Sequence, residues 1–228
     1  MTNLIQTDFK DLKNLIKITK ITKILLNMQI CIAIISAIFY SINIFSYVFL
    51  QQELQLPGES LDPKFLVECC IGLFQLLIYI ITGILFLVWL YRASRNAHVL
   101  DEMGMKYSSG WAVGWYFVPL LCLWKPYCVM AEIWQVSSNP KNWKTATVSP
   151  LVSWWWFLWI IGNISGQISM RFSFGEITLE NYFISTIFYL ISDLSSIPMN
   201  IIVIIIISRI YIMQSSYFKN NYSVTSAI

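Results

Sequence analysis

The distribution of charge constrains this chain more than any other feature, because four long stretches carry almost no charged side chain. Each stretch can supply the roughly 20 apolar residues that a helix needs to cross a bilayer core. Charged residues make up only 12% of the chain, about half the roughly 25% that is usual in soluble domains. The sequence therefore predicts an all-α integral membrane protein with four transmembrane helices. These charge-poor stretches are Ile24–Gln52, Cys69–Tyr91, Thr145–Met170 and Asn181–Ser208.

The predicted organisation has three parts. A basic amphipathic segment over residues 1–23 precedes a membrane domain over residues 24–212, and a short polar tail covers residues 213–228. The lysines of the first segment either bind an anionic membrane surface or simply flank the first span. Within the membrane domain the spans are predicted at 24–50, 66–91, 150–170 and 185–208.

Basic residues predict the orientation. Of the 15 lysines and arginines, only Lys64 and Arg171 fall in the loops after the first and third spans. Since cytoplasmic loops are enriched in lysine and arginine, we expect both termini and the long central loop to be cytoplasmic. The expected location is the plasma membrane of a bacterium. Positive charge spread along one membrane face is not typical of nucleic-acid binding, so no nucleic-acid partner is predicted.

The central loop contains an unusual apolar segment at about residues 108–138. Its run Gly110–Trp124 is too short to span a bilayer, and such runs are often interfacial or re-entrant. Pro126 then suits the first turn of a new helix that carries Glu132. We therefore predict an amphipathic or re-entrant hairpin on the cytoplasmic side. The alternative is a fifth span over residues 111–137, which would bury Lys125 and Glu132 and would disagree with the charge pattern.

Basic and aromatic side chains of this region form the candidate binding site for lipid or a partner. Glu132 either pairs with an arginine as a structural staple or lies beside a site where arginines bind an anionic headgroup or phosphate. His98 is the only histidine, so no histidine-based metal centre, cofactor or catalytic triad is predicted. The candidate residues are Arg92, Arg95, Asn96, Trp111, Trp115, Trp124, Lys125 and Glu132.

Two polar residues of the fourth span form a second candidate site. Asp193 is the only acidic residue well inside a span, and a charged side chain there costs roughly 2.5–3.5 kcal/mol on insertion scales. Pro198 should kink the helix, because it removes the hydrogen bond to the carbonyl of residue 194. Asn200 follows on the same helix. An intramembrane role or simple helix packing would both account for these residues.

The chain also carries a recognisable series of motifs. They are Arg92–Ala97, Tyr107–Trp115, Phe117–Pro119, Leu123–Tyr127, Glu132–Trp134 and, in the third span, Trp154–Trp155 and Leu158–Trp159. With these motifs the chain resembles the family known as domain of unknown function 4328 (DUF4328), over roughly residues 65–210. The resemblance implies a multi-span membrane protein, chiefly bacterial, and no established activity, substrate or cofactor. The chain departs from the family pattern at Ser109, Cys122 and Ala131.

Three functional hypotheses follow. The first is a non-enzymatic membrane module that binds lipid headgroups or a protein partner through the tryptophan-rich hairpin. The alternative is a small transporter or channel subunit, working as a homo-oligomer, that uses Asp193 and polar residues of the first and fourth helices. A membrane enzyme acting on lipids is the least supported hypothesis, because no nucleophile is paired with a base in the sequence.

Overall fold

The computed structural model describes residues 2–50, 63–101, 103–176 and 178–223, and every element in these ranges is helical. The all-α prediction is therefore confirmed for the described part of the chain. Three short 3₁₀ helices accompany six α-helices, at Trp115–Phe117, Leu121–Leu123 and Pro140–Thr145. The α-helices are α1 (Thr2–Leu50), α2 (Pro63–Leu100), α3 (Ser109–Gly114), α4 (Lys125–Ser138), α5 (Pro150–Ser173) and α6 (Leu179–Ser223).

Three helices are long and apolar enough to cross a membrane: α1 over Leu15–Ser46, α2 over Cys70–Leu100 and α6 over Leu179–Lys219. Their apolar side chains are largely exposed, as at Leu73 in α2, which is 69% exposed, and Ile35 in α1, which is 60% exposed. In water such surfaces would be costly, whereas lipid tails are as apolar as these side chains. The chain therefore has the character of an integral membrane protein with three candidate spans.

The predicted count of four spans is not confirmed, because α5 is not among the three candidates. Its first turns carry a row of indole rings, which favour the membrane–water boundary over the hydrocarbon core. Asn163 and Gln167 lower its apolar character further. The helix does begin at Pro150, and the hydroxyl of Ser149 accepts a hydrogen bond from the amide of Leu151 at 3.3 Å. The indole row comprises Trp154, Trp155, Trp156 and Trp159.

The chain divides into two compact units, each described by itself below. Unit 1 comprises Met1–Ile24, Thr82–Trp154 and Ile202–Ile228. Unit 2 comprises Leu25–Ile81 and Trp155–Ile201. Unit 1 therefore holds the whole central loop, and unit 2 holds Asp193 and Asn200.

The two predicted end segments are parts of long helices. α1 runs without interruption from Thr2, and the indole N–H of Trp89 donates to the hydroxyl of Thr19 at 3.1 Å. The predicted amphipathic pattern before residue 15 lies outside the described side chains. α6 continues to Ser223, and Gln214 is completely buried. The segment from residue 213 is thus helical as far as Ser223 and packed at its start.

Candidate functional site

The central segment, residues 108–138, starts by folding back along α2. Nε2 of His98 lies 3.0 Å from the carbonyl oxygen of Tyr107. The hydroxyl of Ser94 donates to that of Ser109 at 3.3 Å. Further along, the ring of Tyr116 meets the ring of Phe86 edge-on, with centroids 6.4 Å apart. As the segment advances, its partners on α2 move towards lower residue numbers, so it runs antiparallel to α2 within unit 1.

A tight turn then reverses the chain. The amide of Leu121 donates to the carbonyl of Pro119 at 2.7 Å, which closes a three-residue γ-turn around Leu120. Leu120 has φ 64° and ψ −48°, and it is the only non-glycine residue with positive φ among the described residues. Such a conformation stores backbone strain and is maintained only where surrounding structure enforces it. Here the two 3₁₀ helices on either side, Trp115–Phe117 and Leu121–Leu123, enforce it.

The side chain of Glu132 in α4 bonds to the backbone of the loop that leads into the central segment. One carboxylate oxygen accepts from the amide of Lys106 at 2.6 Å and the other from the amide of Tyr107 at 3.2 Å. Glu132 is buried, and hydrogen bonds to a carboxylate are stronger than neutral ones. The predicted pairing of Glu132 with an arginine stays a prediction, and the staple that the structure shows joins α4 to the loop backbone. The physical reason is that these amides would otherwise lack an acceptor inside the fold.

Asp101 organises the turn that follows α2. Its carboxylate accepts from the amides of Met103, at 2.9 Å, and Met105, and from the indole N–H of Trp143 at 2.8 Å. Gly104 supplies the positive φ of 83° that this turn requires. Partial burial acts to raise the pKa of Asp101, but these hydrogen bonds favour the ionised form and leave its pKa below the ordinary value.

Asn96 belongs to a buried polar cluster that joins three helices. Its side-chain amide donates to Gln214 of α6 at 3.4 Å. Gln214 in turn donates to the carbonyl of Ala93 in α2 and to the hydroxyl of Ser137 in α4, both at 3.0 Å. Because Asn96 is buried within this cluster, its amide serves helix packing and is not exposed to a ligand at the surface.

Lys125 lies between two aromatic rings at the start of α4. Its ammonium nitrogen is 5.3 Å from the ring centroid of Tyr107 and 5.4 Å from that of Trp115. A cation within about 6 Å of an aromatic face is attracted by the ring quadrupole. The structure thus brings together two predicted residues, Lys125 and Trp115. Of the two predicted arginines on α2, Arg92 is half-buried and Arg95 is exposed.

Large apolar side chains project from the central segment, and we name them the apolar ridge. Phe117 and Leu120 are each 72% exposed, and Trp111 is 53% exposed. The predicted site residues Trp111 and Trp124 both belong to the ridge, while Trp115 is half-buried beneath it. The ridge comprises Trp111, Phe117, Leu120, Leu123 and Trp124.

In unit 2, α6 carries the second candidate site. Oδ1 of Asp193 accepts from the side-chain amide of Gln75 in α2 at 2.9 Å, and Oδ2 has no hydrogen-bond partner. Asn200 is also buried, and its Oδ1 has no partner either. α6 continues through Pro198, and the hydroxyls of Ser195 and Ser196 donate to the carbonyls of residues 192 and 193. These serines therefore do not replace the hydrogen bond that Pro198 denies to residue 194.

Several partners of the site residues were not singled out by the sequence analysis. Gln75 and Gln214 hold Asp193 and Asn96, and Asp101 is tied to Trp143. The two glutamines had a detectable signal, because amide side chains in apolar helices usually hydrogen-bond to neighbouring helices. Asp101 had none, since its partners are backbone amides and a tryptophan 42 residues away.

Comparison with known proteins gives one match. Residues 61–211 match the model of a family described as "Domain of unknown function (DUF4328)". The matched range includes the central segment, the apolar ridge, Gln75 and Asp193. No curated protein and no solved structure matches the chain.

Proposed function

Since the chain belongs to the DUF4328 family, whose description assigns no activity, we propose from its geometry that it is a non-enzymatic membrane module that binds anionic lipid headgroups. The central segment is the proposed binding element. It is re-entrant, entering the membrane boundary from the cytoplasmic side with the apolar ridge towards the lipid. A protein partner at the same surface is the competing outcome of the experiments below.

The observation that carries this proposal is the exposure of the apolar ridge. Five large apolar side chains on one short segment form a surface that water would disfavour by about 25 cal/mol per Å². Tryptophan is enriched where membrane and water meet. The antiparallel course of the segment along α2, as far as Phe86 within an apolar stretch of that helix, supports placement at the same boundary.

The choice of an anionic headgroup rests on charge. Arg92, Arg95, Lys106 and Lys125 all belong to unit 1. Lys106 and Lys125 lie near the two ends of the ridge-bearing segment, and Arg92 and Arg95 lie on α2 near Ser94, which bonds to Ser109 at the start of that segment. Glu132 accepts a backbone amide on each carboxylate oxygen. A guanidinium binds the oxygens of a phosphate in a two-point geometry. Basic residues near an anionic leaflet contribute about 1 kcal/mol each.

The proposal includes a topology. α5 is the fourth span, and both termini are cytoplasmic in the plasma membrane of a bacterium. At 24 residues, α5 is about 36 Å long, which exceeds the roughly 30 Å of a hydrocarbon core. Its indole row would then anchor it at the cytoplasmic boundary.

The depth of the apolar ridge in the bilayer tests the proposed re-entrant placement of the central segment. A spin label at Phe117→Cys, in the full chain reconstituted in bilayers, should be accessible to oxygen and protected from a water-soluble nickel chelate. The matched control is Lys141→Cys, an exposed position of the same unit, which should show the opposite pattern. Equal accessibility of both labels to the nickel chelate would refute the re-entrant placement.

Lipid binding itself is tested with short-chain phosphatidylglycerol added to the purified chain in neutral detergent. The triple variant Arg92→Gln, Arg95→Gln, Lys125→Gln should bind this lipid at least tenfold more weakly, while membrane insertion stays normal. Leu120→Gly removes a ridge side chain and also suits the positive φ, so it should stay folded and lose part of the binding. Unchanged phosphatidylglycerol binding in the triple variant contradicts the proposal, and loss of a captured protein instead would favour a partner site.

A further inference from the structure

Asp193 lies in an environment of oxygen acceptors inside unit 2. It is 5% exposed, and of its two carboxylate oxygens only Oδ1 has a partner, the neutral amide of Gln75. Oδ2 and the Oδ1 atom of Asn200, a residue that is 2% exposed, are buried without a hydrogen-bond partner. Asn200 is seven residues further along α6, so both side chains lie on the same side of that helix.

The neighbouring hydroxyl groups donate elsewhere. Ser192 donates to the carbonyl of Gly162 in α5 at 3.2 Å, and Ser195 donates to the carbonyl of Ser192 at 2.8 Å. Pro198 has no amide hydrogen for the carbonyl of residue 194. The groups near Oδ2 are thus hydrogen-bond acceptors. A bound positive charge would compensate the negative charge of the carboxylate.

Ser36 of α1 adds a third acceptor at a nearby level. The ring of Tyr40 stacks on that of Tyr189 with centroids 5.6 Å apart. Ser36 is one turn from Tyr40, and Asp193 is one turn from Tyr189. If α1 and α6 are antiparallel, as in the proposed topology, Ser36 is level with Asp193. The hydroxyl of Ser36 is buried and has no hydrogen-bond partner.

No described cationic side chain of unit 2 can neutralise this carboxylate. α5 and α6 are antiparallel, because Ser169 bonds the carbonyl of Ser185 while Gly162 accepts from Ser192. Arg171 lies nine residues beyond Gly162 on α5, about 13 Å along the helix axis. The other described acidic groups of the unit are Glu176 and Glu180, and its other described titratable side chains are Cys31, Tyr40, Cys70, Tyr79, Tyr182 and Tyr189.

We propose that Asp193 binds a single positive charge within the membrane, either a dehydrated alkali cation or a proton. Gln75 positions the carboxylate through Oδ1, and Oδ2 receives the charge, with Ser36 as a further oxygen acceptor. Asn200, about 10 Å further along the α6 axis, is a separate buried acceptor on the same side of the helix. One charge suffices, because the site holds one carboxylate and otherwise neutral groups. A buried charge that lacks a compensating partner is strongly unfavourable in a membrane interior, and such residues mark ion or proton sites. This site is independent of the lipid-binding proposal, since it lies in the other unit.

Labelling with dicyclohexylcarbodiimide tests the site in the full chain. This apolar reagent reacts with a protonated carboxyl group: the acid proton moves to a reagent nitrogen, and the carboxylate oxygen bonds to the central carbon. Mass spectrometry should locate the adduct at Asp193 in the native chain and not in Asp193→Asn. Ser196→Ala is the matched control, because that hydroxyl bonds only to the carbonyl of its own helix, and it should label normally.

The two sources of charge give different results. For an alkali cation, replacing choline by sodium at constant ionic strength and pH should reduce labelling at least tenfold and raise the melting temperature of the native chain, with no such rise in Asp193→Asn. For a proton, labelling should fall as pH rises and should not respond to sodium. The proposal is overturned if folded chain gives no Asp193 adduct and no sodium-dependent melting temperature, or if the adduct forms regardless of both pH and sodium.

Discussion

At the residue scale, the buried or partly buried carboxylates of unit 1 act on the backbone. Asp101 and Glu132 each accept hydrogen bonds from two backbone amides in the loop between α2 and α3. A loop has few internal acceptors for its amides, and an unpaired buried amide is costly. The acidic residues of this region therefore shape the loop that leads into the central segment, which leaves the basic residues as its candidates for ligand binding.

We predict an acid-sensitive contribution to stability from Asp101. Its lowered pKa means that the folded state favours the ionised form, so the contribution is present above the ordinary pKa of about 3.9 and is lost as pH falls through the lower folded value. Asp101→Asn should lower the melting temperature at pH 7, and the difference from the native chain should shrink below about pH 4. Thermal unfolding in detergent between pH 7 and pH 3 measures this.

Glu176→Gln provides a control for that experiment, because Glu176 is an exposed acidic residue of unit 2. It should leave the pH profile unchanged. A constant difference between Asp101→Asn and the native chain at every pH would contradict the assignment of ionised Asp101 as the acceptor.

At the element scale, α2, α4 and α6 are joined through a single buried glutamine. Gln214 is completely buried and bonds to Asn96, the carbonyl of Ala93 and Ser137. In helices this apolar, packing alone is weakly directional, whereas a hydrogen-bonded amide fixes one register. The cluster thus fixes where α4 sits against its neighbours, and with it the return path of the central segment.

Gln214→Leu should therefore destabilise unit 1. The substitution keeps a similar size but leaves the carbonyl of Ala93 and the side chains of Asn96 and Ser137 without this partner. The expected loss is about 1–3 kcal/mol for buried polar groups left unsatisfied. Ser215→Ala is the matched control, because Ser215 bonds only to a carbonyl one turn away in α6. Unfolding of both variants in detergent gives the comparison, and equal stabilities would show that the cluster contributes nothing.

At the scale of the whole molecule, the length of the helices matters. The candidate spans contain 32, 31 and 41 residues, and the longest would extend about 60 Å at 1.5 Å per residue. A hydrocarbon core is only about 30 Å thick. Transmembrane helices tilt by up to about 40°, so parts of these helices must lie outside the core. This leaves room for polar clusters such as that of Gln214 beyond the hydrocarbon.

The topology is testable through single cysteines in a chain whose five native cysteines are replaced. If α5 is a fourth span, Thr147→Cys and Ser173→Cys flank it and should react with a membrane-impermeant maleimide from opposite sides of intact cells. We expect Ser173→Cys to label from outside and Thr147→Cys only after permeabilisation. Labelling of both positions from one side would mean that α5 does not cross, and the charge-based orientation would need revision.

The sequence predicts the features of this protein that depend on neighbouring residues better than those that depend on contacts between distant residues. The apolar stretches predict helices at 24–50, 66–91 and 185–208, and these overlap all three candidate spans of the structure. The same charge pattern predicts a fourth span at α5. This span is not confirmed, because tryptophan and amide side chains lower the apolar character of α5. The motifs at Trp124–Tyr127 and Glu132–Trp134 indicate the family that the match over residues 61–211 confirms.

The sequence by itself determined the helical class, the apolar spans and the family, because hydrophobicity and motif spacing act along the chain. Only the tertiary structure decided the partners of the polar residues: amides for Glu132, a glutamine for Asn96, and one neutral amide for Asp193. The partners of Asn96 and Asp193 lie 118 residues away in the sequence. Local pattern carries no information about such contacts, since they exist only once the helices have packed.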